Sequence, residues 1–433
     1  MTAKRLYHFL RLSIEINELK EIIRYNKYMG YTRDTVKGVY WIGGLRAVTR
    51  IISYARTAII ARILSPAQFG IFSMATIVLS LLEIVTETGI NTFLIQHNEK
   101  IEKYLSTAWI ISILRGLLIG LFIFLSAPFI SSFFNTPDAK FPVQLTSVIP
   151  LLRGFINPSI VQFQKELHFH KEFYYRASIF FVESFFSIVL VFLIASPIAL
   201  VWGLISGAIF EVIISYLYVK PIPSFSFEYV LGKRILNRGK WFTLTGIFAY
   251  LFHNGDNIVV GKILGSASLG LYDMAYKLSS IPITEVSVVF NKVTFPVFVK
   301  IGEDRKRLWR AFLRTISLVT IICFSIGIIL FFFAEEIVLI TLGPKWIGAI
   351  PVLRVLTIYG VVRAIASTAD ALFIGLKKQE YVTGINLSGL IVLALIIVPF
   401  ISLYGLIGVG YAVTISTLAT TPFVLYYLRK VFK

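Results

Sequence analysis

A chain of 433 residues that is 57% hydrophobic and 15% charged, with mean hydropathy +0.79, lacks the polar surface a soluble domain of that size needs. One cysteine, Cys323, and five scattered histidines exclude an internal disulfide and give no metal-ligand spacing. The net charge of +19 could suit nucleic acid, but its placement argues otherwise.

Residues 1–35 are mixed, with charges every few positions, and hold no apolar core of signal-peptide length. Ile16, Leu19, Ile22 and Ile23 sit near helical spacing among Glu15, Glu18, Lys20, Glu21 and Arg24. That pattern suits a solvated cytoplasmic helix or an amphipathic segment on the membrane surface. Apolar runs then follow almost to the end, and they predict spans at about 39–60, 69–95, 107–133, 142–163, 174–195 and 198–219. A second set is expected at about 241–264, 268–299, 310–334, 347–375, 381–401 and 404–428. Pro150, Pro158, Pro282 and Pro351 are expected to interrupt their helices. The fold class is therefore all-α polytopic membrane protein, with about twelve transmembrane helices. The organisation expected is a cytoplasmic extension (1–38), a first six-helix lobe (39–219), a basic linker (220–240), a second lobe (241–428) and a cytoplasmic tail (429–433).

The two halves are repeats. Residues 61–75 return at 261–275, with Ile63/Ile263, Leu64/Leu264, Ala67/Ala267, Gly70/Gly270, Met74/Met274 and Ala75/Ala275 identical without a gap. Each copy is a short turn between two long apolar runs, which reads as an outer hairpin. An even number of spans per half makes the repeats parallel, a transporter pattern.

The loops set the orientation. With both termini inside, the predicted cytoplasmic segments hold 28 Lys and Arg residues and the outer loops hold four: Arg62, Lys140, Lys262 and Lys345. This is a positive-inside distribution, and it accounts for the net charge without nucleic acid. The basic loops are expected against anionic lipid headgroups.

Ionisable groups within spans cost about 2.5–3.5 kcal/mol each, so each needs a reason. The predicted spans of the first half carry Arg46, Arg50, Arg56, Arg115 and Arg153 against Glu83, Glu87, Glu183 and Glu211. Those of the second carry Lys277, Lys292, Arg314, Arg354 and Arg363 against Asp256, Asp273, Glu285 and Asp370. Arg46 and Arg50 share one face of the first span, Glu83 and Glu87 one face of the second. Matching depths predict the pairs Arg46–Glu87 and Arg50–Glu83. Two readings stand side by side: structural ion pairs, or a wet cavity where arginines meet an anionic substrate and glutamates carry protons or sodium. Arg56 and Asp256, at the repeat offset, are expected to pair between lobes when the outer side closes. Asp273 and Lys277, four apart, are expected to form an intrahelical pair.

Ala61–Ala75, Glu87-Thr88-Gly89-Ile90 and Leu94-Ile95-Gln96 resemble the first two helices of polysaccharide-transporter flippases. These are the Wzx-type O-antigen and exopolysaccharide repeat-unit exporters of the multidrug/oligosaccharidyl-lipid/polysaccharide exporter superfamily. Asp256-Asn257-Ile258-Val259-Val260-Gly261, Leu269-Gly270-Leu271-Tyr272, Phe295-Pro296, Leu342-Gly343-Pro344-Lys345-Trp346 and Pro351-Val352-Leu353-Arg354 extend the resemblance through the second half. It implies two parallel six-helix lobes around a central cavity that opens alternately to either side. It also implies an undecaprenyl-pyrophosphate-linked oligosaccharide as cargo, moved from the inner to the outer leaflet of the cell membrane, with no enzyme activity. Drive by a proton or sodium gradient is suggested, and no cofactor is expected. A polysaccharide polymerase and glycosyltransferases are the implied working partners. Many members carry two further C-terminal helices, and none is expected after Lys433.

The candidate pyrophosphate-binding residues are then Arg46, Arg50, Arg56, Arg153, Arg354 and Arg363. Those for ion coupling or lobe pairing are Glu83, Glu87, Asp256, Asp273 and Lys277. Trp109, Trp202 and Tyr250 are candidates to stack on sugars. A multidrug exporter of the same fold would favour an acidic cavity without matching arginines, whereas a lipid II flippase shares the pyrophosphate. A membrane polymerase or glycosyltransferase usually needs a large outer loop or a free carboxylate motif, and neither is evident.

Overall fold

The computed structural model describes residues 30–86, 90, 91, 94 and 101–432. Glu87 and the amphipathic pattern near residues 16–24 lie outside them. The described residues are mostly helical: α1 (Gly30–Ile63), α2 (Pro66–Val85), α3 (Glu102–Phe133), α4 (Lys140–Thr146), α5 (Val148–Gly154), α6 (Gln162–Lys165), α7 (Phe169–Ile194) and α8 (Pro197–Tyr218). The second half holds α9 (Tyr229–Lys300), α10 (Arg305–Phe332), α11 (Ala334–Thr341), α12 (Ile350–Gly375), α13 (Gln379–Leu418) and α14 (Thr421–Phe432).

Among the described residues, eight helical segments are long and apolar enough to cross a membrane. Large apolar side chains such as Phe129, Leu193 and Leu395 stand 71–78% exposed on them, which suits lipid and not water. Helix α1 is not among the eight, because Arg46, Arg50, Arg56 and Arg62 fall in its apolar stretch. Two long helices are broken by glycines at positive φ, Gly265 in α9 (φ 80°) and Gly405 in α13 (φ 58°). These breaks fall beside the turns expected after residues 264 and 401.

Prolines act by position. Pro158 opens a 3-10 turn and Pro351 lies in the first turn of α12, where a missing N–H costs little. Pro150 lies within the short α5. Pro282 does not interrupt α9, contrary to expectation. Within the expected link 220–240 the extended part ends at Glu228, and α9 begins at Tyr229. It is held in place: the Asn157 side-chain amide donates to the carbonyls of Val219 and Pro221, both at 3.2 Å.

The two repeated hairpins pack on each other at one end of the molecule. Ser65 starts α2 with a capping box: its backbone N–H donates to Gln68 Oε1 at 2.9 Å and Pro66 follows. In the second copy Gly265 makes the turn. Gly70 lies against the backbone of Ser266, and Gly270 against that of Pro66. A Cβ on either would sit 1.7 or 1.9 Å from a carbonyl oxygen. The glycine identity between repeats therefore has a cause, a two-fold contact of backbone on backbone that no side chain can enter. Around it Leu64, Met74, Leu269, Tyr272, Met274 and Trp346 form the largest buried core.

More contacts tie the halves there. Trp346 Nε1 donates to the Ala61 carbonyl at 2.8 Å, and its ring meets Phe69 edge-on. Lys345 Nζ donates to the Ile63 carbonyl at 3.0 Å, and Arg62 Nη2 to that of Ile340 at 2.6 Å. Arg62 and Lys345 both meet carbonyls at helix C-termini, where the backbone dipole favours cations. The hairpin end is closed.

Candidate functional site

Moving away from that seal, the contacts between halves become polar and then charged. Ser73 Oγ donates to Asp273 Oδ2 at 3.1 Å, and Lys277 Nζ donates to the same oxygen at 2.7 Å. Tyr250 donates to the Ile77 carbonyl at 2.7 Å and Tyr54 to the Lys277 carbonyl at 3.2 Å. Next comes a cationic group. Arg50 donates from Nε and Nη2 to Glu285 Oε1, at 3.1 and 2.7 Å. Arg46 Nη1 lies 3.6 Å from Glu285 Oε2. Lys292, exposed, is within the electrostatic reach of both Arg46 and Glu285.

The two arginine side chains are each 48% exposed and Glu285 is 28% exposed, so none of the three is packed away inside the protein. Arg50 lies thirteen residues before the end of α1, about 20 Å along the helix from the hairpin tip. A small cleft of about 90 Å³ beside Arg50, Tyr54, Lys277 and Ile281 continues between α1 and α9.

The pairing expected from depth is corrected. Arg50 goes to Glu285 and Glu83 goes to Arg153 at 2.8 Å. The expected Arg46–Glu87 pair lies outside the described residues. Depth along two neighbouring helices says nothing about rotation about their axes, and α2 turns Glu83 toward α5. The Arg56–Asp256 pair is also corrected. With the hairpin end closed, Arg56 Nη1 donates to Glu183 at 2.6 Å and its guanidinium lies over the Phe180 ring. Asp256 instead accepts from Tyr272 at 2.6 Å. The Asp273–Lys277 pair forms as expected, and Ser73 with Asp273 is a side-chain hydrogen bond that obeys the 200-residue offset between halves.

Two further polar clusters lie away from this interface. Within the first half, a cavity of about 580 Å³ is bounded by α2, α3, α5, α7 and α8, with Glu83, Arg115, Arg153, Glu172, Arg176 and Glu211 on its walls. Within the second, Asp256, Tyr272, Tyr276, Tyr359 and Arg363 form a largely buried network; Arg363 donates to the Tyr359 hydroxyl at 2.6 Å and acts electrostatically on Asp256 and Asp370. Arg354 is half-buried on α12 and has no ion-pair partner within 4 Å among the described residues.

Trp109 and Tyr250 are buried, Trp109 donating to the Phe155 carbonyl at 3.3 Å, so neither ring face is open to a sugar. Trp202 is 42% exposed. The sequence counts Glu285 among the intramembrane charges without marking it as a site residue. The signal was available: positions 277, 285 and 292 fall within an arc of about 80° on one helix face.

An all-helical chain with two hairpins sealed at one end over a charged face between its halves has the fold of a membrane transporter. The lipid II flippase MurJ in an inward closed conformation matches it with TM-score 0.73, over 90% of this chain and 88% of that one, at 17% identity. A MATE family multidrug resistance transporter in an inward-facing conformation matches with TM-score 0.66, over 88% and 94%, at 18% identity. The chain belongs to the polysaccharide biosynthesis protein family, whose model matches residues 59–351. It is similar to the teichuronic acid biosynthesis protein TuaB of Bacillus subtilis, 22% identical over 81% of this chain and 73% of that protein. It is also similar to the lipopolysaccharide biosynthesis protein WzxC of Escherichia coli, 25% identical over 81% and 72%. The succinoglycan biosynthesis transport protein ExoT of Rhizobium meliloti is 25% identical over 75% and 66%.

Proposed function

We propose that this chain is a flippase that carries a polyprenyl-pyrophosphate-linked oligosaccharide from the inner to the outer leaflet of the plasma membrane, for surface polysaccharide synthesis. Its termini lie in the cytoplasm and the hairpin end faces outward. Glycosyltransferases supply the cargo and a polymerase consumes it. The observation that carries the reading is the part-exposed group of Arg46, Arg50 and Lys292, gathered from both halves beneath a closed hairpin seal, with Glu285 the one carboxylate against it among the described residues.

A pyrophosphate-sugar head cannot cross hydrocarbon unaided. Arginine's planar fork suits it, because two N–H groups reach two phosphate oxygens at once. The lipid tail stays in the bilayer while the head occupies the space between halves. Alternating access then consists of breaking the hairpin seal on one side and closing the opposite end. The relatives TuaB, WzxC and ExoT, named for teichuronic acid, lipopolysaccharide and succinoglycan biosynthesis, support such a cargo. An exporter of organic cations fits less well, since cations would meet a surplus of positive charge at the interface.

The test is a leaflet assay in reconstituted vesicles. Fluorescent polyprenyl-pyrophosphate oligosaccharide is followed by its accessibility to an external lectin or quencher, with and without a proton or sodium gradient. Protein-dependent movement that falls about tenfold or more in Arg50→Ala is expected, the loss of a charge-assisted bidentate contact. Efflux of organic cations with no lipid movement would reject the proposal.

A further inference from the structure

Glu285 touches the central arginines from the opposite half of the molecule. We infer that it is a tethered stand-in for the cargo's pyrophosphate: it occupies Arg46 and Arg50 while the carrier is empty, yields them when the cargo arrives, and takes them back for the return. This rests on the flippase reading above and assigns a role to a residue within that site.

The geometry is that of an anion already in place. One carboxylate oxygen accepts from both Nε and Nη2 of Arg50, and the other faces Arg46. Charge leaves room for a stronger anion. Lys277 and Asp273 neutralise each other, whereas among the described residues Arg46, Arg50 and Lys292 face a single carboxylate, a surplus of two positive charges. A pyrophosphate diester carries two negative charges, so it would balance the three cations better once Glu285 swings aside. Exposure permits the exchange: the arginines can be reached without unpacking a helix, unlike Arg56, whose pair with Glu183 is only 15–19% exposed.

The return stroke explains why a competitor belongs there. After release outside, an empty carrier must reset. Two bare arginines closing between the halves would carry uncompensated charge into a low-dielectric interface. Glu285 supplies the compensating charge from the other half, and so lets the halves come together without cargo. A competitor weaker than the cargo serves loading and resetting alike.

The test uses the full-length protein. Farnesyl diphosphate is titrated into purified Glu285→Gln and wild type. In vesicles, net flipping of a fluorescent prenyl-diphosphate lipid is compared with its exchange when unlabelled lipid fills both leaflets. Glu285→Gln should bind farnesyl diphosphate about five- to tenfold tighter, as loss of a half-exposed competitor implies. It should also slow net flipping while exchange persists, because exchange never requires the empty return. Glu285→Asp, which keeps the charge at shorter reach, should fall between the two and serves if the glutamine variant does not fold. Glu335→Gln, an exposed carboxylate in the first turn of α11, controls for total charge. Binding no tighter in Glu285→Gln, or net flipping and exchange falling together, would overturn the inference and leave the flippase reading intact. No farnesyl diphosphate binding by wild type would remove both.

Discussion

Arg50 and Arg56 are six residues apart on α1, and their surroundings give them different work. Arg56 is held between α1 and α7 by Glu183 and the Phe180 ring, with little solvent contact. Removing one partner of such a mostly buried pair strands the other charge; the cost approaches the roughly 3–5 kcal/mol of a fully buried pair. We expect Arg56→Ala and Glu183→Ala each to lower the thermal unfolding midpoint clearly, measured in detergent. The swapped double variant Arg56→Glu with Glu183→Arg should recover much of the loss. Arg50 and Glu285 are half-exposed, where an ion pair is worth about 0–1 kcal/mol. Arg50→Ala should therefore leave the midpoint within a degree or two while transport falls. If the Arg50 variant is the less stable of the two, the division of roles is wrong.

The hairpins are the elements on which the closed state depends. Gly70 and Gly270 let two backbones meet, and a methyl group on either would overlap a carbonyl oxygen that cannot rotate away. Overpacking of this kind costs roughly 1–3 kcal/mol, and here it falls on one conformation only. Gly70→Ala and Gly270→Ala should each shift the molecule toward the state in which the hairpins are apart. A cysteine introduced at Ser266 should then react faster with a membrane-impermeant maleimide, by several-fold or more. Unchanged labelling in both alanine variants would mean that this packing does not govern the seal. The capping box at Ser65 and the break at Gly265 explain how different residues build the same turn in the two copies. Pro66 needs the first helical position, and Gly265 needs its positive φ.

For the whole molecule, the contacts run from a dry seal through a polar layer to a charged face, all along the seam between the halves. Transport by alternating access requires that seam to part at the hairpin end. Cysteines at Ser73 and Asp273, in a Cys323→Ser background, bracket the polar layer. Joining them with a short cross-linker should stop lipid movement and cleaving the linker should restore it. Undiminished flipping in the cross-linked protein would refute separation at this level.

Much of this was legible in the chain itself. Apolar runs longer than a bilayer is thick gave the helical membrane class, and the repeat 61–75/261–275 marked the two hairpins that meet. These are local or periodic properties: a hydrophobic run or a turn signal acts through neighbours along the chain. The i,i+4 pair Asp273–Lys277 was readable for the same reason, since one helix determines both positions. Partners on different helices were not. Arg50 with Glu285, Arg153 with Glu83 and Arg56 with Glu183 depend on how each helix is rotated and which helices are neighbours. Packing across the whole bundle decides those angles. The charges alone showed that buried ions must find partners, and only the tertiary structure decided which partner each one has.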